Sequence, residues 1–467
     1  MQVATETVSA ASFDGFPDQV LESVFRHFKF PDILPLSTVS HRWNRLVFRA
    51  CSDQLVFRPA QSEGLCGDRT YRHVDLSRCG LPVPAKRHDD DDAVKCQLEL
   101  LASEATSLAM TWTAPWFAEL LLRVLRNFPK IVELRWQVSG DVRSVWATGE
   151  VFQEELERLP SLPRIRELSL VVNDTRMIDL LEKVSPNVVS LEVTVELGPM
   201  LTGLTFADFD LSKLRTCKLL VTGATLEQDD QQAGNDIHLL CKRLQNLRKL
   251  TVGINNCYCQ SAVSSSHVRI QELELVNCQE CDLGHLRDLP CLQIFRTDAL
   301  AVFTDTEMMD LFNPIHMVST IDIDQALHVD IDRLALMFPC LRVFRARSYA
   351  DGWTSNNLHN LCSILDDLEE LALPAGPDEA TLQQVLAQIG RNLCKLRDLT
   401  LVGCVLTTPD FRLFGPILKK PSLRKLTIES ETVRASGIPP AAYVLPAWNA
   451  TQTELVINGA RVQVVGV

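Results

Sequence analysis

The best candidates for metal ligands in the sequence are four cysteines: Cys257, Cys259, Cys278 and Cys281. Four thiolates in a short stretch can hold zinc in tetrahedral geometry. The Cys-X-Cys pair, however, is a poor match to the usual Cys-X-X-Cys spacing, and Cys278 already has a place in the sequence repeat described below. We therefore predict no metal site.

A second set of side chains could bind an anion; its members are Arg296, Arg345, Arg347, Tyr349 and Trp353. Such a set could grip an acidic or phosphorylated segment of a partner. The alternative is that Asp322 and Asp324, on the strand between them, neutralise the arginines in a cross-strand ladder that has no ligand. We favour the ladder.

No sequence signature of catalysis is present. The chain has no P-loop, no HExxH, no glycine-rich dinucleotide turn and no serine or cysteine nucleophile motif. We therefore predict a protein that is not an enzyme and has no cofactor. The net charge of -13 and the pI of about 5.3 argue against binding to nucleic acid through phosphate contacts.

The amino-terminal sequence and the hydropathy pattern predict a soluble protein of the cytoplasm, the nucleus or both. Residues 1–12 lack the positive start and the apolar core of a signal peptide, and no run of about eighteen apolar residues occurs. We expect residues 1–12 to be disordered and no membrane contact. In such a protein the 15 cysteines should be reduced thiols.

From residue 131 onward one motif recurs, in which an apolar residue is followed by others three and five positions later. The spacing averages about 26.5 residues, within the 20 to 29 range of leucine-rich repeats. The copies begin at Ile131, Ile165, Val188, Leu214, Leu247, Ile270, Leu292, Val318, Leu341, Leu368, Leu396 and Leu423. Each copy predicts one short strand, and each returning segment is long enough for a helix.

The motif resembles the leucine-rich repeat of the long, horseshoe type. This resemblance implies an α/β solenoid over residues 131–430, with parallel strands on the concave face and helices outside. In that family an Asn or Cys three positions after the strand turns inward to bond the neighbouring backbone. The positions that match are Cys79, Asn173, Asn255, Cys278 and Cys404.

The segments on either side of the array are less regular. Residues 52–130 read as irregular first repeats and linker helices, and the segment 94–128, with Trp112 and Trp116, is predicted to be helical. Residues 431–467 are predicted to form a cap. In this cap Thr453 to Ile457 and Ala460 to Val465 should form a hairpin around an Asn-Gly turn and cover the edge of the last repeat.

Residues 13–51 predict a separate helical module. Helical spacing of apolar residues indicates a first helix over about 17–28, with Pro17 at its first position; the residues are Val20, Leu21, Val24, Phe25 and Phe28. Asp32 is expected to cap a second helical run that bends near His41. A module of this size cannot bury all of its apolar side chains against itself, so some must meet a partner.

The module resembles the F-box family. The positions that match its pattern are Phe16-Pro17, Val20-Leu21, Val24-Phe25, Phe28, Asp32-Ile33-Leu34, Val39, Trp43 and Leu46. Phe16 replaces the usual Leu, Ser40 stands where Cys is common, and Pro35 is unusual. The resemblance implies contacts with the Skp adaptor of a cullin-RING ubiquitin ligase from Phe16, Pro17, Val20, Leu21, Val24, Phe25, Ile33, Leu34 and Trp43.

The two resemblances together imply a substrate receptor whose F-box binds the adaptor and whose repeats hold a protein substrate for ubiquitination and degradation. One alternative is a leucine-rich-repeat scaffold without a ubiquitin ligase role. Another is a small-molecule receptor similar to the plant hormone receptors, which the mixed charges of the predicted concave face do not favour. On the main hypothesis, Leu21 and Phe25 changed together to Ala should abolish co-purification of the adaptor while the array stays folded.

Overall fold

The computed structural model of the chain describes residues 16–51, 56–57, 71–76, 105–112, 125, 128, 130–138, 156–159, 162–172, 176–184, 186–196, 199–206, 210–222, 236–254, 269–276, 283–301, 314–327, 331–349, 355–375, 379–404, 411–430, 454–457 and 460–462. The chain divides into two compact units. The first comprises residues 1–171 and 179–188, and the second comprises residues 172–178 and 189–467. The predicted disorder of residues 1–12 lies outside the described residues, and the predicted domain boundaries stay predictions.

The first unit begins with short helical segments, which are α1 (Asp18–Phe25), α2 (Phe30–Ile33), a 3-10 helix (Leu34–Thr38) and α3 (His41–Ala50). The first helix is shorter than the predicted 17–28, because Pro17 precedes it as an extended residue with φ -58° and ψ 146° and the helix ends at Phe25. The expected cap at Asp32 is wrong, since that residue lies inside α2. Instead Ser40 caps α3, its Oγ accepting a hydrogen bond from the Trp43 amide at 3.1 Å.

These helical segments form a hydrophobic core of their own. Its buried members are Leu21, Phe25, Ile33, Leu46, Val47, Ala50 and Cys51, with Leu36 and Trp43 packed against it. Leu21 and Phe25 are four residues apart and therefore share one side of α1. The Trp43 ring tilts against Phe25, with centroids 5.4 Å apart. Burial of each large side chain contributes about 1.5–3 kcal/mol, so the core holds the module together.

Parallel strands follow the module in the first unit: β1 (Val56–Phe57), β2 (His73–Leu76), β3 (Ser107–Trp112), β4 (Glu133–Val138) and β5 (Glu167–Val172). Each is hydrogen-bonded to the next in this order. The helix predicted over 94–128 is wrong at 107–112. Leu108 is buried between its register partners Val74 and Leu134, so neighbouring strands supply the core that stabilises an extended conformation here. Trp116 lies outside the described residues.

The second unit is also built on parallel strands. Its strands are β6 (Ser190–Glu196), β7 (Thr216–Thr222), β8 (Lys249–Ile254), β9 (Glu272–Val276), β10 (Ile294–Ala301), β11 (Thr320–Leu327), β12 (Val343–Tyr349), β13 (Glu370–Pro374), β14 (Asp398–Val402), β15 (Lys425–Ile428), β16 (Glu454–Ile457) and β17 (Ala460–Val462). Each pairs with the next in parallel as far as β16.

Helices alternate with the strands. They are α4 (Arg176–Val184), α5 (Pro199–Phe206), α6 (Ile331–Met337), α7 (Ser355–Ile364), α8 (Glu379–Asn392) and α9 (Gly415–Leu418), and 3-10 helices cover Leu283–Asp288 and Phe411–Phe414. Residues 156–158 and 236–243 are also helical. The helices that the repeat predicts in its returning segments are confirmed at α4, α7 and α8.

The repeat motif accounts for this alternation of strand and helix. Along β7, Cys217, Leu219 and Val221 are buried while the residues between them face away, as the two-residue period of a strand requires. The same register position holds Leu371 and Leu399 on β13 and β14, so each repeat buries its apolar side chains against its neighbours. Strands form at all twelve predicted copies, and the α/β repeat fold is confirmed.

The carboxyl-terminal hairpin is also confirmed. Strand β16 pairs in parallel with β15, which places Leu455 beside Leu426 and Ile457 beside Ile428, and β17 pairs with β16 in antiparallel fashion. The hairpin thus satisfies the backbone groups along the edge of β15. The Asn-Gly turn lies outside the described residues.

Cys404 occupies the inward position three residues after Leu401, the last motif residue of its repeat. It is buried, and its thiol bonds the Leu401 carbonyl at 3.9 Å. Its own carbonyl accepts the Ser430 hydroxyl from the next repeat at 2.6 Å. Burial raises the pKa of the Cys404 thiol to about 12, so the side chain is a neutral packing group. The other predicted inward positions, Cys79, Asn173, Asn255 and Cys278, lie outside the described residues.

Candidate functional site

The helical module carries exposed apolar side chains, here called the apolar stripe: Phe16, Val20, Val24, Phe28, Leu34 and Val39. Each is between 42% and 61% exposed. The first four recur at every fourth residue along α1 and beside its ends, which places them along one side of the helix. Leu21 and Phe25, one position later in each turn, face the core instead. The stripe is therefore apolar surface that the module's own core leaves uncovered.

Charged groups from α3 fix the start of this surface. The Arg42 side chain donates to the Asp18 carboxylate at 2.8 Å and also to the Phe16 carbonyl. Arg45 lies 3.6 Å from the same carboxylate. These bonds tie α3 to the first residue of the stripe, so the apolar residues are held in place before any partner binds.

The arginine group on the second unit has a different character. Arg345 forms a bidentate pair with Glu370 at 2.7 and 2.9 Å, and its remaining Nη1 lies 2.9 Å from Asp322. Hydrogen bonds to Glu370 raise the pKa of Arg345 above its ordinary value. Burial opposes this increase, and the hydrogen bond to Asp322 adds a smaller upward contribution. Two carboxylates thus already occupy this guanidinium.

The other arginines are paired as well. Arg347 lies 3.5 Å from Asp324 on the neighbouring strand, and Arg296 lies 3.2 Å from Glu272. The predicted cross-strand ladder is confirmed for the pairs that include Asp322 and Asp324. Arg296 departs from it, because it pairs with a glutamate on β9 rather than with an aspartate on β11. The side chain of Tyr349 and all of Trp353 lie outside the described residues.

The four cysteines considered for zinc lie outside the described residues. In the ranges that the structure describes, no three His, Cys, Asp or Glu side chains come together as metal ligands would. No described helix has the length and hydrophobicity to cross a bilayer.

The family comparison bears on the helical module. The family model of the F-box domain matches residues 13–53, which include α1, α2 and α3. This segment is an F-box domain. The match covers the residues that carry the apolar stripe and ends before β1.

Similarity of the whole chain to known proteins is low. No curated protein matches the chain. Among solved structures, an internalin (InlF) from Listeria monocytogenes is similar at 16% identity, over 73% of this chain and 86% of that one, with a TM-score of 0.37. Internalin C2 from the same organism is 15% identical over 54% of this chain and 83% of that one, with a TM-score of 0.25.

The F-box residues predicted to contact an adaptor include an exposed group and a buried group. The exposed residues are Phe16, Pro17, Val20, Val24 and Leu34.

Leu21 and Phe25 are 3% exposed and Ile33 is fully buried, so these three pack inside the F-box and cannot touch a partner unless it opens. The prediction that these three contact the adaptor is therefore corrected, and the other predicted contacts stay predictions. Trp43 is half-buried against Phe25. Phe28 and Val39 match the F-box pattern and were not among the predicted contacts, although the four-residue spacing from Val24 would have indicated Phe28.

Proposed function

We propose that this chain is a substrate receptor, in which the F-box binds the Skp adaptor of a cullin-RING ubiquitin ligase and the repeats hold a protein substrate. The observation that carries the proposal is the apolar stripe. A module with a complete core of its own still presents six large apolar side chains to solvent. Such a surface is typical of a subunit contact.

The energy available from the stripe indicates what else the contact needs. Six side chains that are each about half exposed correspond to roughly three full burials, or about 5–9 kcal/mol. Association itself costs about 4–15 kcal/mol in lost freedom. The stripe alone thus gives at most weak binding. We expect the adaptor to make further contacts with polar groups around the 3-10 helix and α3.

The repeats act through proximity and carry out no chemistry. A substrate held on the array experiences a high effective concentration of the ubiquitin-charged enzyme recruited through the adaptor. The proposal includes a location in the cytoplasm, the nucleus or both. The scaffold alternative differs from it in one respect, since a scaffold binds partners without changing their lifetimes.

The test compares captured proteins in cells that express the wild-type chain or the variant Val20→Glu/Val24→Glu. Proteins labelled by proximity to both forms are candidate substrates, because the repeats are unchanged. We expect at least one of them to have a longer half-life with the variant and to accumulate under proteasome inhibition with the wild type. Equal half-lives for every captured protein would favour the scaffold and contradict the receptor.

A further inference from the structure

Strands β7, β8 and β9 begin at a surface rich in cations. In each repeat three residues lie there. In the first of these repeats, for example, they are Lys213 and Arg215, on either side of the buried motif residue Leu214, and Thr216, the first residue of β7. The residues of all three repeats, here called the basic edge, are Lys213, Arg215, Thr216, Asn246, Arg248, Lys249, Arg269, Gln271 and Glu272. They include five cations and one anion.

Backbone hydrogen bonds hold these residues in register. The Arg248 amide donates to the Arg215 carbonyl at 2.8 Å, and the Gln271 amide donates to the Arg248 carbonyl at 2.7 Å. Lys249 stands between Thr216 and Glu272 in the adjoining ladder. Neighbouring strands are about 4.8 Å apart, so cations from three repeats project from a patch about 10 Å across.

Most of this positive charge is uncompensated. Glu272 lies 3.3 Å from Lys249 and 3.2 Å from Arg296, so the single carboxylate of the basic edge is already shared. Arg215, Arg248 and Arg269 are exposed. Within the described ranges, no ion pair joins any of these three arginines to a carboxylate.

The same positions on β12, β13 and β14 show that this excess is local. They hold three cations and four anions, which are Cys340, Arg342, Val343, Asp367, Glu369, Glu370, Lys395, Arg397 and Asp398. Here Glu369 lies 3.7 Å from Arg342 and 3.0 Å from Arg397, and Lys395 is paired with Asp367. The charges at the start of β12, β13 and β14 therefore neutralise one another, whereas those at the start of β7, β8 and β9 leave a positive excess. This excess is notable because the chain has a net charge of -13.

We propose that the basic edge binds an acidic segment of a protein partner. Arginine guanidinium groups match carboxylates in a bidentate fashion, and three arginines on neighbouring repeats can each take one side chain of an extended acidic peptide. The small patch in an acidic chain fits a few carboxylates better than a long polyanion, which the rest of the surface repels. The inference rests on the proposed function, because it assigns a surface and a chemistry to the substrate that the repeats hold.

The test measures binding of a fluorescein-labelled tetra-glutamate peptide to the full-length protein by fluorescence anisotropy in 50 mM NaCl. The variant Arg215→Ala/Arg248→Ala should bind at least tenfold more weakly. The matched control is Arg342→Ala/Arg397→Ala, which removes the same charge from the same position of two self-neutralised repeats and should stay within twofold of wild type. Raising NaCl to 300 mM should weaken wild-type binding, because salt screens exposed charges.

Equal losses in the two variants, or no peptide binding by the wild type, would overturn the inference. Tighter binding of a 20-nucleotide single-stranded RNA, lost on the same substitutions, would overturn it in favour of a nucleic-acid surface. Circular dichroism checks that both variants are folded. Adaptor binding is measured on the same samples. If the receptor proposal is wrong, the wild-type protein will bind the peptide but not the adaptor.

Discussion

Gly403 has a backbone φ of 70°, which side chains with a Cβ rarely adopt. A Cβ at this residue would meet no atom within 4 Å, so the cost of Gly403→Ala is conformational and not steric. We expect a loss of about 1–2 kcal/mol in the free energy of unfolding. Gly415 provides the control, because it has equally open space and no positive φ. Gly415→Ala should gain about 0.4–1 kcal/mol. Urea denaturation checks both, and equal shifts would contradict the account.

Asp398 gives a prediction of pH dependence. Burial, followed by the charge of nearby Glu370, raises the pKa of Asp398 above its ordinary value, although three neighbouring cations oppose the shift. The folded state therefore binds this proton more tightly than the unfolded state. Its contribution to stability is present below the ordinary aspartate pKa and is lost as pH rises through the raised pKa.

The variant Asp398→Asn removes this ionisation. We expect it to unfold at higher urea than the wild type at pH 7, and at the same urea at pH 3, where both side chains are neutral. Destabilisation by Asn at pH 7 would show that the neighbouring cations outweigh burial.

Some residue-level features could be predicted from the sequence. The pairing of Arg345 with Asp322 follows from the repeat register, since the two stand opposite each other on adjacent strands. Glu370 was missed, because it lies two positions before Ala372, the register partner of Arg345 on β13, and meets the guanidinium only through the reach of both side chains. On α1 the sequence shows apolar residues on two sides. Which side faces the core depends on where α3 packs, and local periodicity does not contain that information.

At the scale of elements, Arg345 links β11, β12 and β13. Arg345→Ala leaves two half-buried carboxylates without their partner, and we expect a loss of about 1–3 kcal/mol in the free energy of unfolding. Arg347→Ala on the same strand is the control, because its exposed pair with Asp324 should contribute less than about 1 kcal/mol. Thermal unfolding of both variants checks the difference. Similar effects would mean that the bidentate pair adds nothing to the sheet.

The core of the F-box makes a further prediction. Leu21→Ala should cost about 2–5 kcal/mol and open the module, because this side chain is buried between the helices. Val20→Ala, on the exposed side of the same helix, should cost little. Hydrogen exchange of the α1 amides measures the difference, with protection lost only in the Leu21 variant. It follows that Leu21→Ala/Phe25→Ala would abolish adaptor binding by unfolding the F-box, so this pair cannot identify contact residues.

Most elements were predictable because each repeat carries its own motif. The exception is β3. Ala105, Leu108 and Met110 follow the spacing of the motif, but alanine stands at its first position and the flanking residues have helical periodicity. The strand forms because β2 and β4 lie on either side of it. A single sequence does not show these neighbours directly.

At the scale of the whole molecule, a repeat array is predictable because each strand needs only its neighbours for a core. The number, order and parallel pairing of the strands from β4 to β15 follow from the period of the motif, within each of the two units. Binding surfaces do not follow from it. The basic edge depends on the scarcity of carboxylates at matching positions of adjoining repeats. The apolar stripe depends on which side of α1 the core of the module leaves exposed.

The most direct test of the receptor account is the affinity of the purified full-length chain for a purified Skp adaptor, measured by isothermal titration calorimetry. The stripe variant is Val20→Glu/Val24→Glu. The control, Gln19→Glu/Ser23→Glu, adds the same charge to exposed positions rotated by about 100° around the same helix. We predict that the stripe variant binds at least about 100-fold more weakly, equivalent to about 2.7 kcal/mol, while the control stays within threefold of wild type. Equal affinities of the stripe variant and the wild type, or no binding by the wild type, would contradict the account.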